Sequence, residues 1–330
     1  MSLFRAAAAS ALLALVAAAC TTPGADGEPG GAATGLPEPQ LAVAVASFDL
    51  AVGEDQRLMA GLFDPERRIL AFGEVSFELG FLGEEPTGTA EVTERTTAGF
   101  LPVPGMEPEG EHPTPSFLTD QPGNGVYQAT VDLDRPGYWG LQVTAELEDG
   151  SVIAGRTVFP VLETPLVPAV GDEAPRTQNH TLADVEASRA EPVALDSRAQ
   201  DPDAAIPDPH LHQHTIAEAI EAGRPVVVVF STPVYCQSRF CGPLVSVIAE
   251  LAHRYEDRAE FVMVEVWEAF EEQQLNDAAA EWIQTELGGN EPWVFLVGAD
   301  GTIQARWDNV LDVAELEAEL EALPATPPLS

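Results

Sequence analysis

Residues 224–255 read RPVVVVFSTPVYCQSRFCGPLVSVIAELAHRY, and the rest of the chain is organised around them. Val226 to Phe230 is a continuous apolar run whose length and β-branched content predict a strand buried on both faces. A turn containing Pro233 follows, and Cys236 and Cys241 flank a short polar segment. Leu244, Ile248, Leu251 and Tyr255 then recur at the spacing of an amphipathic helix. A thiol at a helix N-terminus meets unpaired N–H groups and the positive end of the helix dipole, both of which favour the thiolate.

Working outward, Glu260 to Val266 (EFVMVEV) reads as the next buried strand, and Glu291-Pro292-Trp293 stands directly before the strand WVFLV. Gly298 to Gly301 (GADG) turns into the alternating run Thr302 to Trp307, and Val313, Leu316, Leu320 and Leu323 define a last helix. Upstream, Val170 to Pro175 reads VGDEAP. Together these motifs resemble the thioredoxin-like superfamily, with VGDEAP similar to the opening of its extracytoplasmic and peroxiredoxin members. The resemblance covers about half of the chain. It implies an α/β thioredoxin-like domain over residues 164–330, with Pro292 as the cis-proline that faces the cysteines.

At 330 residues the chain is long for one domain and comfortable for two. It carries 54 acidic residues against 15 basic ones, all of them Arg, for a net charge of −39. That field repels nucleic acid and anionic lipid headgroups, which excludes both as electrostatic partners. The acidity is expected to keep the protein soluble in a salty medium, where self-repulsion is screened. The alternative is an acidic surface combined with Arg-favouring codon usage.

Residues 1–19 read as a signal peptide, with Arg5 as a minimal positive region and Ala6 to Ala19 as an apolar stretch too short to span a bilayer. Ala17-Ala18-Ala19-Cys20 resembles a bacterial lipobox, which implies lipidation of Cys20 and anchoring at the extracytoplasmic face of the cell membrane. Secretion after ordinary cleavage is the alternative. Residues 20–40, rich in Gly and Pro, read as a flexible tether. With Cys20 assigned to lipid, Cys236 and Cys241 are the remaining thiols, in a compartment that tolerates disulfides.

From 41 to 163 the signal is β throughout: short alternating runs such as GVYQATVDL and YWGLQVTAEL are separated by Gly, Pro and Asp turns. About seven such runs predict an all-β immunoglobulin-like sandwich. A long excursion, Pro102 to Gly123, reads as a loop whose Met106 and His112 are too few to form a metal site. The expected architecture is therefore multidomain, the sandwich first and the α/β domain after it.

Three of the six histidines, His210, His212 and His214, alternate just before a capping box formed by Thr215 and Glu218. In an extended segment they would share one face and hold copper or zinc; alternatively they are solvated loop residues, or one of them tunes the cysteine pair. Trp267 to Gly289 reads as an acidic helical insertion that covers the sheet.

The C-x4-C spacing limits the analogy. Within one regular helix the two Cα atoms would stand roughly 8.7 Å apart, beyond the reach of about 7 Å for a disulfide, so Cys236 precedes the helix or the first turn unwinds. C-x4-C followed by Gly242 is also similar to one peroxiredoxin subgroup, but Val229 and Pro233 stand where that family has Pro and Thr or Ser, and its catalytic Arg is missing. The function expected from the resemblance is thiol–disulfide exchange without a required cofactor. Cys236 is the attacking thiol, Cys241 the resolving thiol and Pro292 the edge of the docking groove, with Thr232, Pro233, Tyr235 and Arg239 in support. The implied partners are extracytoplasmic proteins with thiols or disulfides and a membrane electron donor. The alternatives are a copper- or metal-handling chaperone using the cysteines with His210, His212 and His214, and an atypical thiol peroxidase.

Overall fold

The computed structural model describes residues 40–88, 90–118, 124–236, 240–283 and 290–329. The signal peptide, Cys20, most of the tether and Arg239 lie outside the described residues. Nine strands come first in chain order: β1 (Ala42–Val45), β2 (Gly53–Phe63), β3 (Leu70–Ala71), β4 (Glu74–Gly83), β5 (Glu94–Pro102), β6 (Ser116–Phe117), β7 (Gly125–Leu133), β8 (Gly137–Glu146) and β9 (Val152–Val161). Seven of them form one antiparallel sheet in the order β1-β2-β7-β5-β4-β8-β9, and β3 pairs with β6. Alternate residues such as Leu58, Phe77, Tyr127, Leu141 and Phe159 turn inward to a single apolar core.

The two ends of this sheet meet. Leu41 bridges Gly155 of β9, and the amides of Gln40 and Leu41 donate to the Ala154 carbonyl at 2.8 and 3.1 Å. A second bridge joins Ala51 to Leu162. A side chain at Gly155 would place its Cβ 2.8 Å from Leu41 Cβ and nearer still to the Leu41 carbonyl oxygen, so the seam depends on a bare backbone there. Irregularities in register at Gly53/Gln56 and Phe81/Gly83 add the curvature that closure requires.

The expected fold class is overturned. In place of a two-sheet immunoglobulin-like sandwich there is one nearly closed, barrel-like sheet. A barrel and a sandwich impose the same alternation along each strand, so the pattern that found the strands could not separate them. Strand takes 37% of the residues and helix 18%, so the chain is mainly β and shows no clear α/β thioredoxin-like domain.

The second half begins with α1 (Leu182–Glu186), α2 (Pro192–Leu195), a 3-10 turn at Pro209–Leu211 and α3 (Ile216–Glu221), all short. It continues with β10 (Val226–Ser231), α4 (Cys241–Arg254), β11 (Glu260–Glu265), β12 (Trp267–Ala269), β13 (Gln274–Leu275), α5 (Asp277–Ile283), β14 (Trp293–Val297), β15 (Ile303–Asp308) and α6 (Val313–Ala322). The order of the four-stranded sheet is β11-β10-β14-β15, with β10 parallel to β11 and antiparallel to β14. Helix is scarce here for local reasons. Residues 189–209 are largely irregular, and the insertion expected to be helical from Trp267 opens instead with the β12–β13 hairpin.

Residues Glu38–Ser330 form one compact unit. Arg57 of β2 pairs with Asp308 of β15 at 3.3 Å, and Arg306 of β15 pairs with Asp49, ahead of β2, at 2.9 Å. The outer edge of β15 is also occupied: Gly171 donates to the Ile303 carbonyl and the Ile303 amide to Asp172, while Asn309 Nδ2 reaches the Ala46 carbonyl.

Candidate redox site

β10 is buried along its whole length and delivers the chain to the turn Thr232–Tyr235, where the Cys236 amide donates to the Thr232 carbonyl at 3.0 Å. Cys236 and Cys241 are joined by a disulfide with their Cα atoms 6.1 Å apart, less than a regular helix would allow. The shorter distance arises because Cys241 opens α4 whereas Cys236 stands before it. The helix start thus carries Cys241 directly, and Cys236 reaches it through the sulfur–sulfur bond. Cys241 is fully buried, and Cys236 only half-buried.

The Glu291–Pro292 peptide is cis. Phe230 pairs with Trp293, the residue after Pro292, so the cis bond leads into β14 at the end of β10 from which the cysteine turn departs. Pro243, in the first turn of α4, forfeits no helical hydrogen bond there. The long excursion of the first sheet also reaches the residue before α4. Met106 and Phe240 pack on one small apolar cluster with Met59, Val103, Val126 and Val310.

Two carboxyl groups with displaced titration lie close by. Glu265, opposite Ser231 in the parallel pairing, is 1% exposed, and burial pushes it up to about 7 despite hydrogen bonds that favour the anion. Its Oε2 accepts from the Ser197 amide at 2.9 Å and its Oε1 from the Val266 amide at 3.0 Å. The Thr232 side chain also favours ionisation of Glu265, although its hydroxyl makes no hydrogen bond of standard geometry. The Ser197 hydroxyl in turn accepts from the Val234 amide at 3.2 Å, which links the buried carboxyl to the cysteine turn. Glu291, beside Pro292, is likewise raised to about 7 by burial.

Sequence reasoning missed Ser197, which lies in what read as an irregular insertion, and Glu265. The signal for Glu265 was present as a lone carboxylate inside the apolar run EFVMVEV. Tyr235 is held from two sides: its ring stacks on Phe270 at 4.0 Å between centroids, and its hydroxyl accepts from Gln200 at 3.1 Å.

The three histidines are not brought together, because the 3-10 turn at Pro209–Leu211 breaks the alternation. His210 packs against the His253 ring at 4.0 Å, and burial lowers its pKa. His212 is fully buried 3.5 Å from Asp196, and His214 lies 4.0 Å from Glu260. Burial raises Asp196, but the nearby His212 ring and the hydrogen bonds and charge of Arg198 outweigh it and leave the carboxyl below its ordinary range. Among the described residues no group of three His, Cys, Asp or Glu side chains is placed to hold a metal ion. His112 stacks on Phe72, away from Met106. A cavity of about 530 Å³ lies between the two sheets, lined by Arg57, Asp308, Arg306 and Trp293, and contains neither cysteine.

Among the described residues no helix is long and apolar enough to cross a membrane. No family model matches the chain, and no curated protein matches it.

Proposed function

We propose that Cys236 and Cys241 form a reversible dithiol–disulfide couple that exchanges with thiols or disulfides of extracytoplasmic proteins. The observation that carries this reading is the asymmetry of burial: one sulfur belongs to a half-buried residue on a turn, and its partner is sealed at a helix start. An incoming thiolate would attack Cys236 Sγ, breaking the internal bond and releasing Cys241 as a thiolate beside the positive end of α4. A second substrate thiolate would then attack its own sulfur in the mixed disulfide and displace Cys236. The substrate loses two electrons and two protons, and the protein gains two thiols. The reverse sequence reduces a substrate disulfide.

The resemblance of residues 224–255 to the thioredoxin-like active-site stretch supports the same chemistry, with Pro292 bordering the substrate groove. Glu265 is neutral below about pH 7, so beneath that point it adds no opposing charge near the thiolates. A membrane electron donor would restore the dithiol state.

The test is the reduction potential of the pair, measured by equilibration with glutathione and dithiothreitol buffers. A working couple is expected to lie above about −300 mV, and a value well below that would identify a permanent staple and overturn the proposal.

A further inference from the structure

The surface beside Cys236 is apolar in an otherwise strongly acidic molecule. Val234 is 49% exposed and Phe270, at the tip of the β12–β13 hairpin, is 36% exposed. Tyr235 lies between them in sequence and space: its ring is stacked face to face on Phe270, and Phe270 meets Trp267 edge-on at 5.3 Å. Three rings therefore form a ladder that starts one residue from Cys236. Gln200 Nε2 donates to the Tyr235 hydroxyl at 3.1 Å, a contact that favours the stacked position of this ring.

An exposed aromatic ring backed by two half-buried ones marks a contact surface, and this one adjoins the residue next to the disulfide. Behind Trp267 the apolar character persists in a cavity of about 120 Å³ lined by Leu275, Ile283 and Glu291, the last adjoining Pro292. The hairpin tip adds charge. Glu271 and Glu272 are exposed next to Phe270 and have no ion-pair partner among the described residues.

We infer that the Val234–Tyr235–Phe270–Trp267 surface is the docking site for a polypeptide segment whose cysteine is flanked by aromatic or aliphatic residues and by arginine or lysine. Apolar flanks lie along the ladder, and basic ones meet Glu271 and Glu272. This inference rests on the exchange reading for its purpose, but the docking can be measured without exchange.

The decisive experiment uses the oxidised full chain and two short peptides in which serine replaces the cysteine. One peptide carries phenylalanine, leucine and arginine flanks, and the other serine and glutamate flanks. In titration calorimetry the first should bind at least about tenfold more tightly than the second. Phe270→Ser, at an exposed tip, should remove most of that preference, and Glu271→Gln with Glu272→Gln should lower it and flatten its salt dependence. Equal affinity for the two peptides, or an unchanged preference in Phe270→Ser, would overturn the docking site. Exchange with 2-hydroxyethyl disulfide, which has no flanks, is scored separately. Its absence in wild type counts against the redox reading and leaves the binding result standing.

Discussion

Ser197 donates its amide proton to Glu265 at 2.9 Å while its hydroxyl receives the Val234 amide proton, so one residue ties a buried carboxyl to the turn that presents Cys236. A segment that read as an irregular insertion therefore supports the candidate site.

The titration of Glu265 makes a signed prediction. Its folded pKa of about 7 stands above the unfolded value of 4.5, so the stability it lends is fully present below the unfolded value and is lost as pH rises through about 7. The loss attributable to this group is on the order of 3 kcal/mol. Urea unfolding at pH 5 and pH 8 should show a smaller drop in Glu265→Gln than in wild type, and equal drops would refute the assignment.

Cysteine substitutions should differ in kind. Cys236→Ser is expected to abolish exchange, because Cys241 is fully buried and cannot meet a protein substrate. Cys241→Ser should leave attack intact and accumulate mixed disulfides, visible by non-reducing electrophoresis and intact mass. Turnover surviving in the first variant would remove Cys236 from its role.

The ion pair between Arg306 and Asp49 offers a third test. Asp49 is 7% exposed, so Arg306→Met leaves a buried carboxylate without its countercharge. A loss of about 3–5 kcal/mol is expected in denaturant unfolding. Because Asp49 also accepts the Leu166 amide, Asp49→Leu carries its own cost; the double variant should still lose less than the sum of the two single losses, and additive losses would mean that the pair is not coupled.

Closure of the barrel-like sheet can be probed at Gly155. Gly155→Ala would force its Cβ against Leu41 and should cost about 1–3 kcal/mol. Amide exchange at Gln40 and Leu41 should accelerate far more than exchange within β4 or β7. Uniform protection would argue against a seam at this position.

Much of the local structure was legible. The apolar run from Val226 appears as β10, the periodic leucines as α4 and α6, and Thr215 with Glu218 forms the reciprocal cap that its spacing predicts. The tertiary features were hidden for definable reasons. Inward alternation is common to barrels and sandwiches, so sheet closure had to come from Gly155 and Leu41, which are 114 positions apart. Pro209 turned an alternating histidine motif into three separate environments. The stretch from Trp267 to Leu275 read as the opening of a helical insertion and forms a hairpin instead. Ser197 carried no periodic signal at all.

The occupied flank of β15 has a consequence for how other chains can approach. An uncovered strand border is a template on which foreign backbone can lengthen a sheet. Here Gly171 and Asp172 cover the start of that border, and Asn309 and Asp308 fasten its end to residues 46–48. Backbone arriving from another chain therefore meets a strand whose first residues are already paired.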